Sequence, residues 1–225
     1  MSGWLIIYFG FFFIMIIHEI GHALAAKAVG IRFSQIILGF PTIFKFKLGK
    51  IPVKIGLVPF IGGILFEDES YEQHPWYHRL FTISAGPLSN LFFTLFLSLI
   101  VGGPQAVIMV LELTYLMVVG IPAAITTAST NTPTADMANT FTTLISQNGL
   151  MTIFPIIMIL NIAVFALNIL PIPVLDGGKI ILLFAEAVFG KKIKSFTNVL
   201  TIISFVAILL YSVLLIIKEV VFLVR

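Results

Sequence analysis

The chain has no cysteine and few charged residues. None of its 225 residues is Cys, and only 10% are Asp, Glu, Lys or Arg. The missing thiols exclude disulfide bonds, thiolate metal ligands and cysteine nucleophiles. The low charge, with 59% hydrophobic residues and a mean hydropathy of +1.12, excludes a soluble domain of this size and predicts an α-helical, polytopic membrane protein. Lys and Arg lie near the ends of apolar runs, so the net charge of +3 indicates orientation in a bilayer and not nucleic-acid binding.

Four apolar runs are each close to the twenty or so residues that a helix needs to cross a bilayer. We predict four transmembrane helices, at residues 4–29, 79–101, 150–170 and 196–220. Between the first two, residues 31–66 alternate short apolar runs with Gly and Pro, which predicts a small β region.

The basic residues predict the orientation. Lys and Arg are concentrated between spans one and two and between spans three and four, whereas residues 102–149 contain neither. The positive-inside rule puts both basic loops in the cytoplasm and the N-terminus outside, in a multi-pass protein of the plasma (inner) membrane. The apolar segment 106–128 is then an interfacial or half-inserted outer helix, and residues 126–148, rich in Thr, Asn and Ala, are a flexible outer loop.

The first apolar run contains the segment His18-Glu19-Ile20-Gly21-His22. Two His residues four apart lie on one face of a helix and can bind one zinc ion, while Glu19 can reach the water bound to that ion. Ionisable groups are costly at membrane depth, so a chance match is the weaker interpretation. The segment therefore indicates hydrolytic metal chemistry in a bilayer, with the active site toward the cytoplasmic half.

Catalytic zinc normally has three protein ligands, so a third residue is needed. The polar candidates are His74, His78, Glu112 and Asp176. With four spans, the end of the first helix and the loop after the third reach the same side, which favours Asp176. Pro171 and Pro173 would break the helix and bend the chain inward, and Gly177-Gly178 would allow close approach on the far side. The alternative is that Asp176 caps the following helix.

These motifs resemble those of the site-2 protease family, the intramembrane zinc metalloproteases of peptidase family M50. His18 to His22 matches the family's HExxH, and Asn168 to Gly177 matches Asn-x-x-Pro-x-Pro-x-x-Asp-Gly. Residues 37–69 resemble the membrane-associated β region of the bacterial regulated-proteolysis branch, and residues 85–90 resemble its Ala-Gly-Pro-x-x-Asn segment. Gly86-Pro87 alone would equally be typical of a kinked packing helix. Residues 102–149 are too few for the PDZ domain usual in that branch.

The resemblance implies a role for each matching residue. His18, His22 and Asp176 would bind one Zn²⁺, and Glu19 would act as the general base toward the zinc-bound water. Asn168 would hold the substrate backbone. Asn161, one heptad earlier, is a rival polar residue that could instead bond a neighbouring helix.

The expected substrates are single-span membrane proteins or signal-peptide remnants. A transmembrane substrate must unwind before its carbonyls can be attacked, and its freed backbone groups need partners in lipid. An edge strand near Gly39 and Phe40 could supply them by β-augmentation, although an amphipathic surface hairpin is the alternative for residues 31–66. A non-catalytic membrane scaffold and a metal transporter are the other function classes. The presence of Glu19 argues against a scaffold with an inactive site, and candidate ligands gathered at one depth of the membrane argue against a transport path.

Overall fold

The structure is a computed structural model, and it describes residues 3–127 and 153–224. From residue 128 onward, the predicted outer loop lies outside the described residues. The chain divides into two compact units, Met1–Ile169 and Leu170–Arg225, each of which is described by itself.

The first unit begins with helix α1, Gly3–Val29, which coincides with the apolar run predicted at residues 4–29. The run contains no proline, so the helical hydrogen bonds continue without interruption. Its buried residues include Ile14, Ala25 and Ala26. Helix α1 packs against the β-sheet and against two later helices of the same unit.

The predicted β region is confirmed as an antiparallel sheet of β1, Phe33–Leu48, and β2, Ile51–Phe66. The turn between them includes Gly49, whose φ of 63° favours glycine. The middle of β1 has partners on two sides, because Leu38 is paired with both Gly62 and Ile55. This stretch of β1 therefore lies inside the sheet, and only other parts of the strands form its edges.

The far half of the sheet is an amphipathic hairpin. Phe44 pairs with Ile55 and Lys45 pairs with Lys54. Neighbouring residues of a strand point to opposite faces, so the apolar pair and the lysine pair lie on opposite faces of the hairpin. Phe44 is exposed. The amphipathic-hairpin interpretation thus describes this half of the region.

Helix α2, Asp68–Gln73, occupies the polar connector, and helix α3, Trp76–Thr127, follows it. The one interruption of α3 is at Gly103, with φ 69° and ψ −165°, a conformation open almost only to glycine. Helical backbone angles continue through Gly86-Pro87 as far as Gly103. The interruption separates the predicted span at residues 79–101 from the apolar segment that begins at residue 106.

Helix α4, Ile153–Ile169, completes the first unit and packs against α3 and α1. Within the described residues, three helices are long and apolar enough to cross a membrane by length and composition: Ile7–Val29, Trp76–Gly120 and Lys194–Tyr211. The described part of α4 is apolar but has only 17 residues. These helices indicate a multi-pass membrane protein.

The second unit starts with a tight turn and contains two further helices. The turn has hydrogen bonds from the Ile172 N–H to the Leu170 carbonyl and from the Leu175 N–H to the Ile172 carbonyl, each 2.8 Å long. Helix α5, Asp176–Phe189, follows, and a 3₁₀ turn, Lys191–Ile193, leads into α6, Lys194–Val224. The apolar run predicted at residues 196–220 is therefore helical.

Candidate metal centre

Helix α1 carries His18, Glu19 and His22, and all three side chains are buried. Their exposed fractions are 4%, 4% and 8%. Because the two His residues are one helical turn apart, their rings lie side by side, with centroids 4.8 Å apart and planes at 84°. Their Nε2 atoms face each other across 3.2 Å. The three sequence-predicted residues are thus all buried, and the two imidazoles are in contact.

The orientation of His22 is fixed by helix α3. Its Nδ1 lies 2.7 Å from the backbone carbonyl oxygen of Thr82. A carbonyl oxygen can only accept, so Nδ1 carries the proton and donates it to Thr82. In the neutral imidazole this leaves Nε2 with its lone pair, which is the state that a metal ion requires.

His18 faces a polar side chain of α3. Its Nδ1 lies 3.3 Å from the side-chain amide of Asn90, which is completely buried. Asn161, on α4, donates to the Asn90 backbone carbonyl at 2.9 Å and to the Thr94 hydroxyl at 2.7 Å. This bond to a neighbouring helix is the alternative role considered for Asn161. A continuous set of polar contacts therefore links α1, α3 and α4.

Two glycines allow α1 and α3 to come this close. A Cβ on Gly21 would lie 2.8 Å from the Cβ of Ser89, and a Cβ on Gly86 would lie 2.5 Å from Cε1 of His22. Carbon atoms normally pack at about 3.5–4.0 Å, so no larger residue fits at either position without movement. The Ser89 hydroxyl also lies 3.0 Å from the Ile17 carbonyl, which ties the two backbones together.

The two imidazoles fit a zinc ion. In tetrahedral coordination with Zn–N bonds of about 2.0–2.1 Å, two nitrogen ligands are about 3.3–3.4 Å apart. The observed separation between the Nε2 atoms is 3.2 Å. His18 and His22 could thus bind one ion with little change in their positions.

Asp176 lies in the second unit, where it is the first residue of α5 and 3% exposed. The N-cap residue of that helix is Leu175, so the cap considered for Asp176 is not the one formed. The Lys179 ammonium lies 2.9 Å from Asp176 Oδ1. The close approach predicted around Gly177-Gly178 occurs at Gly178, where a Cβ would lie 2.5 Å from the Pro173 nitrogen.

The remaining predicted site residues belong to the first unit. Asn168, near the end of α4, donates from Nδ2 to the Val164 carbonyl of its own helix at 3.0 Å. Phe40 pairs with Val58 of β2, and its side chain is 58% exposed. Gly39 is buried, and a Cβ there would lie 2.8 Å from the Val58 carbonyl oxygen. His74, a candidate third ligand, has its Nδ1 2.5 Å from the Ser70 carbonyl.

Sequence reasoning missed the groups that hold the imidazoles. Asn90 was noted only as part of a family-like segment, and the Thr82 carbonyl was not considered. A signal was nevertheless present, because polar or small residues recur every fourth position along α3. This α3 stripe consists of Thr82, Gly86, Asn90, Thr94 and Ser98, all buried.

Comparison with known proteins relates the chain to zinc metalloproteases. A family model described as Peptidase family M50 matches residues 6–212. A protein of Chlamydia trachomatis, provisionally named a zinc metalloprotease, is 34% identical over 106 residues, covering 37% of this chain and 17% of that protein. A similarly named protein of Synechocystis is 31% identical over 94 residues, covering 36% and 26%. The regulator of sigma-W protease RasP of Bacillus subtilis is 41% identical over 49 residues, covering 22% and 12%. The matched part thus spans about a quarter or less of each relative.

Proposed function

The chain belongs to Peptidase family M50, and from that premise we propose that it is a zinc metalloendopeptidase that hydrolyses peptide bonds within or near transmembrane segments. The observation that carries the proposal is the buried imidazole pair on α1, with Nε2 atoms 3.2 Å apart and Glu19 between them in sequence. Its substrates are single-span membrane proteins or the remnants of signal peptides.

In this proposal Asp176 is the third ligand of a single ion. Two imidazole nitrogens and one carboxylate oxygen are a donor set that zinc uses in catalytic sites. A buried carboxylate also needs cationic partners. Lys179 supplies one of them, at 2.9 Å from Oδ1, and the ion would be another.

Glu19 is assigned the role of general base. When bound, zinc would polarise the peptide carbonyl and lower the pKa of water to about 7. Glu19 would take a proton from the attacking water and return it to the leaving amine. Its position supports this role, since Glu19 follows His18 directly in the chain and is buried with it.

Two further parts of the chain are assigned a role in binding the substrate. Asn168 would contact the backbone of the unwound segment, for which its carboxamide offers both a donor and an acceptor. The peptide would add as a strand near Gly39 and Phe40. Because Leu38 already has partners on two sides, addition is restricted to the part of β1 from Gly39 onward.

The proposal includes four membrane spans, with α4 as the third. Two basic loops would then face the cytoplasm of a plasma (inner) membrane protein whose N-terminus lies outside. The apolar part of α3 after Gly103 would be the interfacial or half-inserted outer helix. The β region would lie at the cytoplasmic surface of the bilayer, next to the first span.

The test is cleavage of a single-span model substrate by the full chain in liposomes, together with measurement of the bound zinc. Glu19→Gln should slow cleavage by at least about 100-fold while one zinc per chain is retained. Asp176→Asn should lose both the zinc and the cleavage. Glu69→Gln, in an exposed position of α2, is the matched control and should change neither. Cleavage by Glu19→Gln at the wild-type rate would refute the assignment of the base, and tight zinc binding by Asp176→Asn would refute that of the third ligand.

A further inference from the structure

The contact between His18 and Asn90 has two possible directions. In one, the amide nitrogen of Asn90 donates to Nδ1 of His18; in the other, the amide oxygen accepts from Nδ1. The two differ only by a half-turn of the carboxamide, which exchanges the positions of its nitrogen and its oxygen. The nitrogen faces Nδ1 at 3.3 Å, and the buried Oδ1 of Asn90 has no hydrogen-bond partner among the described residues.

The direction of this contact decides where the His18 proton lies. If the Asn90 nitrogen donates, Nδ1 must accept, and the proton of a neutral His18 is on Nε2. That proton could then be donated to Nε2 of His22, 3.2 Å away. In that arrangement the hydrogen bonds of both imidazoles are made without a metal ion. His18 cannot then bind an ion through Nε2, because a proton occupies the lone pair that the ion needs.

We infer that Asn90 is a positioning residue which, in the metal-bound protein, turns its amide oxygen toward His18 and accepts a hydrogen bond from Nδ1. His18 is thereby held with its Nε2 lone pair toward the ion, as the Thr82 carbonyl holds His22. Outer hydrogen bonds of this kind fix the tautomer and the ring orientation of metal-binding imidazoles. The inference rests on the proposed zinc site.

The surroundings of Asn90 suit this role. Its backbone carbonyl accepts from Asn161 Nδ2 at 2.9 Å and from the Thr94 hydroxyl at 3.0 Å. Those bonds hold the main chain, so only the carboxamide has to turn. Asn161 therefore supports the metal centre indirectly, through the position of Asn90.

The experiment uses the full chain in detergent micelles, titrated with zinc against a chromophoric chelator. Asn90→Leu removes both the donor and the acceptor and should weaken zinc binding by about 10–100-fold. Asn90→Asp keeps an acceptor without the amide donor and should bind zinc at least as tightly as the wild type. Ser98→Ala, on the same stripe but bonded to the Leu95 carbonyl of its own helix, is the control and should leave the affinity unchanged.

Each outcome has a defined meaning. If the wild type binds no zinc, the proposed function fails. If the wild type binds zinc and Asn90→Asp is as weak as Asn90→Leu, the amide acts as a donor and the inference is overturned, as it is if Asn90→Leu binds normally. A second measurement, nitrogen NMR of the ¹⁵N-histidine-labelled, zinc-loaded wild type, does not depend on whether the variants fold. We expect a protonated Nδ1 on His18, and an unprotonated Nδ1 would overturn the inference.

Discussion

Adding one methyl group at Gly86 should disturb the metal centre directly. A Cβ there would lie 2.5 Å from Cε1 and 2.7 Å from Cδ2 of His22. Since normal carbon contacts are about 3.5–4.0 Å, the ring or the helix must move by about 1 Å. The Nδ1 to Thr82 hydrogen bond is 2.7 Å long, and such a shift would take it beyond hydrogen-bonding distance.

The expected cost of Gly86→Ala has two parts. Overpacking costs about 1–3 kcal/mol and loss of the hydrogen bond about 1 kcal/mol, so the free energy of unfolding should fall by about 2–4 kcal/mol. Zinc affinity should fall by about 10–100-fold, because His22 loses the acceptor that orients it. The two effects share one cause and should appear together.

The assay compares Gly86→Ala with Gly120→Ala in the same helix. A Cβ on Gly120 has nothing within 4 Å, so this matched substitution should be neutral or slightly stabilising. Unfolding is followed by circular dichroism in mixed micelles, and zinc affinity by chelator competition. If Gly86→Ala has the same free energy of unfolding and the same zinc affinity as the wild type, then α1 and α3 are farther apart at His22 than they are in the structure.

Two further substitutions test the rest of helix α3 and its contact with α4. Gly103→Ala puts an alanine at φ 69° and ψ −165°, a conformation that strains any residue with a Cβ. It should lower the free energy of unfolding by about 1–3 kcal/mol relative to Gly120→Ala. Equal stability of the two variants would mean that α3 is not interrupted at Gly103. Asn161→Leu removes bonds of 2.9 and 2.7 Å to α3 and should cost about 1–2 kcal/mol in micelles. Asn168→Leu, which loses a bond within one helix, is its control, and a similar loss in both variants would contradict an interhelical role for Asn161.

The helical runs and the β region could be predicted because each has a local cause. Helix α1 begins and ends within one residue of the predicted run, since an apolar stretch without proline is bounded by Gly30. The sheet was predictable from alternating residues such as Phe44, Lys45 and Phe46, which point to opposite faces.

Other features depend on contacts between distant parts of the chain. Leu38 has partners both 17 and 24 residues away, and no local pattern reveals that a strand folds back to be paired twice. The interruption of α3 is at Gly103, one of several glycines in that helix, and nothing in the local sequence distinguishes it from Gly102 beside it. At the metal centre, the spacing of His18 and His22 was enough to predict the pair, but the Thr82 carbonyl carries no side-chain signal.

The spacing of the α3 stripe brings helix packing and the imidazole pair of the proposed metal site onto one face of the helix. Lipid offers no water to satisfy a stray polar atom, so the outer hydrogen bonds of the imidazoles must come from a neighbouring helix at close range. Two helices can approach this closely only where a side chain is small, and Gly86 is such a residue between Thr82 and Asn90. Further along the same face, Asn90 and Thr94 are bonded by Asn161 of α4. The contacts between the three helices are therefore also those that surround His18 and His22, so a shift of one helix would change the geometry of the imidazole pair that we propose binds the ion.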